Sequence, residues 1–342
     1  MDNILIIYTG GTIGMVKDAI TGSLKPFDFG EIYARIPELH AFDCHIDFIT
    51  LEPLIDSSDV TIDNWVEMAL LIKKNYARYK AFIILHGTDT MAYTASALSF
   101  ILEGLNKPVI LTGSQLPIGA VRTDARLNLI TTIEMAYQCI KKNLGLSEVC
   151  ICFDDVLMRG NRCEKYSSSK FYAFKSENYP PLAEAGTEIV FHQQNFLPQP
   201  KIKLRIQEQL CNDIALLKIY PGMPNSLLDS YLNNKKLKAI VIETFGAGNA
   251  PVNKSFINFI EKAIANKLLV VNVSQCIGGM VEPGKYAGSY RLDKTGVLNG
   301  SDMTTESAIT KLMYLFGKNL SLQTIKKNMT ISLRGEMSVS PT

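Results

Sequence analysis

Two threonine hydroxyls follow apolar segments of the chain, each directly after a glycine turn. Residues 4–8 run into T-G-G-T-I-G, which contains Thr12, and residues 81–85 run into H-G-T-D-T, which contains Thr88. If both segments are strands of one open α/β sheet, both hydroxyls lie in the crevice beyond the carboxyl ends of the strands, where such sheets bind ligands. A hydroxyl held there can be activated for attack, so the pair predicts a threonine nucleophile.

Other polar residues also stand after predicted strands. Asp89 lies at the start of a predicted helix, where the dipole keeps a carboxylate ionised, and Thr90 is the predicted N-cap. Asp89 could therefore hold an ammonium group or orient a lysine. The hydroxyls and N–H groups of Ser57 and Ser58 suit a carboxylate, and Lys165, if desolvated, could act as a base. Capping or solvation alone would equally explain each of these side chains.

The first turn also has a nucleotide-site alternative. The spacing T-x-G-x-x-G at Thr9, Gly11 and Gly14 is one residue short of the dinucleotide fingerprint, which needs glycine at the first position. No acidic residue about 20 positions later ends a second strand. A nicotinamide-dependent enzyme is therefore a distant alternative, and a plain glycine turn capped by Thr12 is a nearer one.

The elements that would position these residues form an alternating pattern of strands and helices. This alternation is typical of an α/β protein whose parallel sheet is covered on both faces. Because the chain is too long for one ordinary core, two α/β domains are predicted. The larger spans residues 1–195, with a mostly parallel sheet, helices on both faces and a β-hairpin excursion. A linker follows at 196–212, and a smaller parallel-sheet domain spans 213–342.

Composition narrows the class of protein. Of the 342 residues, 47% are hydrophobic and 20% charged, and the formal net charge of +2 gives no reason to expect nucleic acid or a membrane as a partner. The N-terminus does not read as a secretory signal, and no apolar segment approaches the ~20 residues of a membrane span. Seven scattered cysteines indicate reduced thiols in the cytoplasm. The four histidines have no metal-binding spacing, so no metal site is predicted.

These motifs resemble a known family. Residues 9–14 and 86–91 resemble the two signature motifs of bacterial-type L-asparaginases, and the details resemble the type I, cytoplasmic branch. The resemblance extends from residue 3 to about residue 316. Three further segments resemble those of type I members: residues 122–128, 159–162 and 246–251.

The resemblance implies hydrolysis of L-asparagine to L-aspartate and ammonia, without metal or cofactor. By position, Thr12 would be the nucleophile that forms an aspartyl ester, and Thr88, Asp89 and Lys165 would form a second polar triad. Members of the family usually form homodimers or homotetramers. The implied substrate-binding residues are Ser57 and Ser58 for the α-carboxylate, Asp89 for the α-ammonium group, Thr88, and Asn249, which would reach a neighbouring subunit's site.

One segment departs from the family pattern. Members often carry a tyrosine that hydrogen-bonds the nucleophile, whereas here Ser23 stands at about that position and Tyr33 is too far along to align. The residue that activates Thr12 is therefore an open question. Residues 15–27 are predicted to form a lid over the substrate, with Gly14 and Gly22 as hinges.

Two other functions fit parts of the pattern. The asparaginase-like subunit of the archaeal tRNA amidotransferase carries an extra N-terminal domain, whereas here the first strand begins at Ile4. An amino-acid-binding regulatory protein would need the carboxylate and ammonium contacts but not Thr12, Thr88 and Lys165. The hydrolase is therefore the preferred hypothesis.

Overall fold

The computed structural model describes residues 3–17, 24–26 and 36–338. They form two compact units: unit 1, Met1–Ser176 with Pro180–Ile206, and unit 2, Glu177–Tyr179 with Gln207–Thr342. Residues 196–206, predicted as linker, thus group with unit 1. Each unit has its own sheet and helices. The two-domain α/β class predicted from the sequence is confirmed.

Unit 1 is built from the helices and strands that follow, given in chain order. Its helices are α1 (Ile62–Asn75), α2 (Met91–Ile101) and α3 (Ala125–Lys141). Its strands are β1 (Asn3–Tyr8), β2 (Met15–Lys17), β3 (Leu24–Pro26), β4 (His45–Thr50), β5 (Ala81–Leu85), β6 (Leu102–Glu103), β7 (Val109–Thr112), β8 (Val149–Phe153), β9 (Val156–Arg159), β10 (Glu164–Lys165), β11 (Phe174–Lys175), β12 (Ala183–Ala185), β13 (Ile189–Phe191) and β14 (Arg205–Ile206).

The main sheet of unit 1 has the strand order β13-β12-β9-β8-β7-β5-β1-β4. The five strands from β8 to β4 are parallel, and β9, β12 and β13 extend the sheet as antiparallel strands. After β1 the chain crosses to β4 on one side, and then returns to β5 on the other. The connections from β1 therefore run in opposite directions along the sheet, and the boundary between β1 and β5 is a topological switch point. Open α/β sheets bind ligands at such points.

Burial explains why these segments form central strands. All five residues of β5 and of β8 are buried, so both faces of the sheet are covered, as continuous apolar strands require. Helix α1 begins with a capping box between Thr61 and Asn64. The strands at the switch point are thus fixed by apolar burial, which leaves their polar ends to protrude from the sheet.

A small hairpin of unit 1 carries Lys165. Strands β10 and β11 pair antiparallel, with Lys165 opposite Phe174. The preceding 3-10 turn, Gly160–Arg162, is buried. Just before it, Arg159 forms a buried ion pair with Glu148 at 2.5 Å and also donates to the Asn195 carbonyl at 2.7 Å. This buried pair anchors the base of the hairpin.

Unit 2 is a smaller parallel α/β unit. Its strands are β15 (Ile214–Lys218), β16 (Ala239–Thr244), β17 (Leu269–Ser274) and β18 (Leu298–Asn299), and its helices are α4 (Asn225–Asn233), α5 (Lys254–Ala265), α6 (Ala287–Lys294), α7 (Thr305–Gly317) and α8 (Leu322–Met329). The sheet has the order β15-β16-β17-β18, all parallel. Helices α4 and α5 pack on an apolar cluster over that sheet.

Two features are absent from the described residues. In residues 3–17, 24–26 and 36–338, no helix is both long and apolar enough to cross a bilayer. The same residues contain no cluster of three or more His, Cys, Asp or Glu side chains placed to hold a metal ion.

Candidate active site

The first turn places Thr12 at the end of β1. Gly11 has φ of 84°, a conformation that favours glycine, and Thr12 opens a 3-10 turn over Thr12–Gly14. Beneath this turn, the buried Tyr8 hydroxyl donates to the Gly14 carbonyl at 3.2 Å. Burial raises the pKa of Tyr8 to about 12. The Thr12 side chain is half-buried, and it forms no hydrogen bond within the part of the chain that the structure describes.

The second turn lies directly against the first. A Cβ atom added to Gly11 would come within 2.5 Å of Gly87 Cα, and one added to Gly87 would come within 2.5 Å of Ser57 Oγ. Only glycines allow backbones to approach this closely. The contact brings together the turns that carry Thr12, Thr88 and the serine pair, as the switch-point topology predicts.

Thr88, Asp89 and Lys165 form one hydrogen-bonded group. Lys165 Nζ donates to Thr88 Oγ1 at 2.8 Å and to Asp89 Oδ1 at 2.6 Å. The lysine side chain is 18% exposed, whereas that of Asp89 is 66% exposed. The second carboxylate oxygen, Asp89 Oδ2, accepts no hydrogen bond from the described residues. Asp89 can therefore pair with Lys165 and still accept a ligand's ammonium group.

A glutamine that the sequence reasoning missed joins this group. Gln115 Oε1 lies 3.5 Å from Thr88 Oγ1, and its Nε2 donates to the carbonyls of Ser167 and Lys170 at 3.3 and 3.1 Å. Gln115 therefore links Thr88 to the loop that follows Lys165. The signal was available, since Gly-Ser-Gln follows strand β7 just as the threonine turns follow β1 and β5.

Comparisons with known proteins show the family to which the chain belongs. Residues 3–197 match the model of the asparaginase N-terminal domain, and residues 213–329 match that of the glutaminase/asparaginase C-terminal domain. L-asparaginase 1 of Escherichia coli is 40% identical over 343 residues, which cover 98% of both chains. The chain belongs to the asparaginase family. Members of this family are amidohydrolases, so the resemblance stated above is confirmed.

Two further relatives show the breadth of this likeness. The crystal structure of L-asparaginase I from Vibrio cholerae is 39% identical, with a TM-score of 0.88 and 99% of each chain covered. The 60 kDa lysophospholipase of Mus musculus is 39% identical over 363 residues, which cover 99% of this chain and 63% of that protein. Proteins similar to this chain thus include some whose names indicate a different activity.

The serine pair of this asparaginase-family chain lies beside the second turn. Ser57 is buried, and Ser58 donates through both N and Oγ to Asp56 Oδ1, each at 2.9 Å. These bonds lower the pKa of Asp56. Thr90 does not cap helix α2 as predicted, because its hydroxyl donates to the Ser57 carbonyl at 2.6 Å. Thr90 instead ties the serine turn to the Thr88 turn.

Two predicted site residues fall outside this group. Asn249 belongs to unit 2, where its N–H donates to the Phe245 carbonyl at 2.8 Å. Ser23 and the hinge Gly22 lie outside the described residues, which include only the paired strands β2 and β3 of the predicted lid. The lid, the role of Asn249 and the replacement of the family tyrosine stay predictions.

Proposed function

We propose that this chain is an L-asparaginase, which hydrolyses L-asparagine to L-aspartate and ammonia with Thr12 as the nucleophile. The observation that carries the proposal is the contact of the Thr12 turn with the turn of Thr88, whose hydroxyl accepts a hydrogen bond from Lys165, which also donates to Asp89. The 40% identity to an enzyme named L-asparaginase 1 supports the substrate. The site's polar groups fit an amino acid that carries an ammonium group, a carboxylate and an amide.

The substrate's two α-groups would be held by different residues of the site. Its ammonium group would pair with Asp89, whose Oδ2 accepts nothing from the described protein. Its carboxylate would take the hydroxyls of Ser57 and Ser58. The hydroxyl of Ser58 now donates to Asp56, so it would exchange that acceptor for the substrate. These two contacts fix the distance from the α-carbon to Thr12.

The proposed chemistry has two halves. Thr12 Oγ attacks the side-chain amide carbon, while its proton passes through Thr88 to the Lys165 amine, which acts as the base. The tetrahedral intermediate then expels the amide nitrogen, which takes the proton and leaves as ammonia. Water attacks the resulting aspartyl ester by the same relay, which releases aspartate and restores the threonine hydroxyl.

An amide oxygen that becomes negative needs donors prepared in advance. The candidates are backbone N–H groups of the two turns, near Gly11 and Thr88. The Thr88 N–H donates to no acceptor in residues 3–17, 24–26 or 36–338. An unpaired N–H beside the proposed nucleophile is what an oxyanion requires.

Substrate length follows from this placement. Glutamine is one methylene longer than asparagine. If the same residues bind its α-groups, its side-chain amide would lie beyond Thr12. The penalty in kcat/KM should exceed the ~1 to 3 kcal/mol of an ordinary methylene misfit, because the reacting atoms are misplaced as well. Comparison of kcat/KM for the two amides measures this, and equal values would contradict the proposed grip.

The deciding experiment combines turnover with trapping of the intermediate. The purified protein should release ammonia and aspartate from L-asparagine in equal amounts. After acid quenching at high substrate, the peptide that contains Thr12 should carry an added aspartyl group, and Thr12→Val should show neither. Thr50→Val, at the exposed end of neighbouring strand β4, is the matched control and should behave as wild type.

Other outcomes select other functions. Binding of asparagine without ammonia release, in the wild type, would indicate an amino-acid-binding protein. Ammonia release with the label on another residue would overturn Thr12 but keep the enzyme. The proposed cytoplasmic location and homodimer or homotetramer are tested separately, by cell fractionation and by light scattering of the purified protein.

A further inference from the structure

Three buried side chains form a hydrogen-bonded chain behind the second turn. Trp65 Nε1, on α1, lies 3.0 Å from the hydroxyl oxygen of Thr94, on α2. That oxygen lies 3.0 Å from Nε2 of His86, the residue that follows β5. The other ring nitrogen, Nδ1, lies 2.7 Å from the carbonyl oxygen of Gly87. His86 is 1% exposed, and Thr94 is fully buried.

The direction of every hydrogen bond in this chain follows from the groups involved. An indole nitrogen only donates, so Thr94 accepts from Trp65, and the Thr94 hydroxyl proton is left to donate to His86 Nε2. A carbonyl only accepts, so Nδ1 must carry the proton that it donates to Gly87. The carbonyl partner therefore places a proton on Nδ1. Burial lowers the pKa of His86 to about 4, so the ring is neutral and Nε2 accepts from Thr94.

The Gly87 carbonyl belongs to the peptide that also carries the Thr88 N–H. This peptide is trans and planar, so its carbonyl and its N–H point in opposite directions. His86 holds the carbonyl on the buried side. The Thr88 N–H therefore points away from the His86 ring, and it is the unpaired donor described above.

We propose that His86 is a positioning residue, which fixes the Gly87–Thr88 peptide so that the Thr88 N–H can receive the oxyanion formed when Thr12 attacks. This inference rests on the proposed asparaginase reaction. The ring never touches the substrate. Trp65 and Thr94 hold it in the tautomer that can donate to the carbonyl, and a carbonyl that accepts a hydrogen bond makes its own amide N–H a better donor.

A matched pair of variants separates positioning from simple packing. His86→Asn and His86→Leu have side chains of nearly equal size and shape, but only asparagine keeps a donor near the position of Nδ1. We expect His86→Leu to lower kcat for L-asparagine about 100-fold, the low end for loss of one oxyanion donor. His86→Asn should retain at least about ten times the kcat of His86→Leu, because it can still hold the carbonyl.

The split between kcat and KM distinguishes the two roles. The substrate's α-groups are held elsewhere, so KM should stay within about threefold in both variants. Equal kcat for the two variants, a His86→Leu enzyme within about threefold of wild type, or a loss confined to KM would each overturn the proposal. Absence of ammonia release from the wild type would instead defeat the proposed function.

A measurement on the wild type keeps the inference testable if the variants fail to fold. In protein labelled with ¹⁵N-histidine, one ring should stay neutral from pH 8 down to 5, with its proton on Nδ1. The other three histidines are partly or largely exposed. A buried ring that carries its proton on Nε2, or that is charged at neutral pH, would overturn the assignment whatever the variants do.

Discussion

The parallel strands of the two units end in similar polar residues, but these residues differ in whether they have hydrogen-bond partners. In unit 2 these side chains bond to other groups of the protein. Thr244 donates to Asn272 at 2.6 Å, Ser274 donates to the Gly246 carbonyl at 2.6 Å, and Gln275 donates to the carbonyls of Ile219 and Glu243. In unit 1 the hydroxyl of Thr12, the Thr88 N–H and Asp89 Oδ2 have no partner among the described residues.

This contrast shows what distinguishes a candidate site from a strand end that only stabilises the fold. Buried or half-buried polar groups without protein partners cost stability, so such groups at a strand end are candidates for contact with another molecule. Similar residue types at similar topological positions therefore lead to opposite expectations. Each prediction below pairs a residue of unit 1 with its counterpart in unit 2, and the largest effect comes first.

The threonine pair should give the largest effect. Thr12→Val removes the proposed nucleophile, so kcat should fall by about 10⁴-fold or more, with little change in unfolding. Thr244→Val removes a buried donor to Asn272, and should destabilise the protein by about 1 to 3 kcal/mol while kcat stays within about threefold. Ammonia-release kinetics and urea unfolding measure both. Similar loss of kcat in the two variants would remove the contrast between the units.

The lysine pair comes next. Lys165→Met should lower kcat about 10²- to 10⁴-fold, whereas loss of its ion pair with the exposed Asp89 should cost at most about 1 kcal/mol of stability. Lys311, in unit 2, forms a fully buried ion pair with Glu336 at 2.5 Å and donates to the Ile331 carbonyl. Lys311→Met should destabilise the protein by about 3 to 5 kcal/mol, because it leaves the buried Glu336 carboxylate without its cation.

The two lysine variants are compared by the same two measurements. Activity per folded molecule should be close to wild type for Lys311→Met, and the unfolding midpoint should be close to wild type for Lys165→Met. The reverse pattern would show that the lysine of unit 1 is structural.

The pH dependence of unfolding should also differ between units. Unfolded His86 binds a proton below about pH 6.5, but burial lowers its folded pKa to about 4. The unfolded state then binds more protons, so stability falls as the pH drops from about 6.5 to 4, by at most about 1.4 kcal/mol per pH unit. His86→Asn should remove this slope. An unchanged slope would mean that His86 is charged when folded.

Glu306 of unit 2 should titrate in the opposite sense. Burial raises its pKa from 4.5 to about 7, so between these values the folded state holds a proton that the unfolded state has lost. Its contribution to stability is therefore present below about pH 4.5 and is lost as the pH rises to 7. Glu306→Gln should flatten that part of the profile, as measured by urea unfolding. If the slope persists in Glu306→Gln, another titratable group causes it.

The glutamine pair should give the smallest effect. Gln115→Leu removes the link between Thr88 and the loop after Lys165, so kcat should fall about tenfold. Gln275 bonds only backbone carbonyls of unit 2, so Gln275→Leu should lower the unfolding midpoint and leave kcat within about twofold. If Gln115→Leu changes only the unfolding midpoint, Gln115 belongs with the structural glutamine.

Much of the fold follows from the sequence because its signals are local. The apolar segments at 4–8, 81–85 and 149–153 are strands β1, β5 and β8, since continuous burial on both faces requires continuous apolar residues. The glycine turns were equally visible. A left-handed or closely approached backbone position needs glycine, whatever the rest of the chain does.

Less of the site than of the fold could be predicted from the sequence. Lys165 lies on a two-residue strand with no periodic signal, so its position after a predicted strand gave only weak support until the family resemblance was considered. Thr90 fits an N-cap by residue type, yet the neighbouring Ser57 carbonyl takes its proton. Gln115 and His86 were overlooked because their partners lie 27 or more residues away, or behind the turn, and no local pattern encodes such pairings.

The sequence by itself determined the alternation of strands and helices, the glycine turns and the two threonines at the strand ends. Each of these depends on residues next to one another in the chain. Only the tertiary structure decided which polar groups have partners and which do not. That depends on the order of the main-sheet strands, which sets Gly11 against Gly87, and on the separate hairpin that brings Lys165 to Thr88. It also depends on the helices that carry Trp65 and Thr94 to His86.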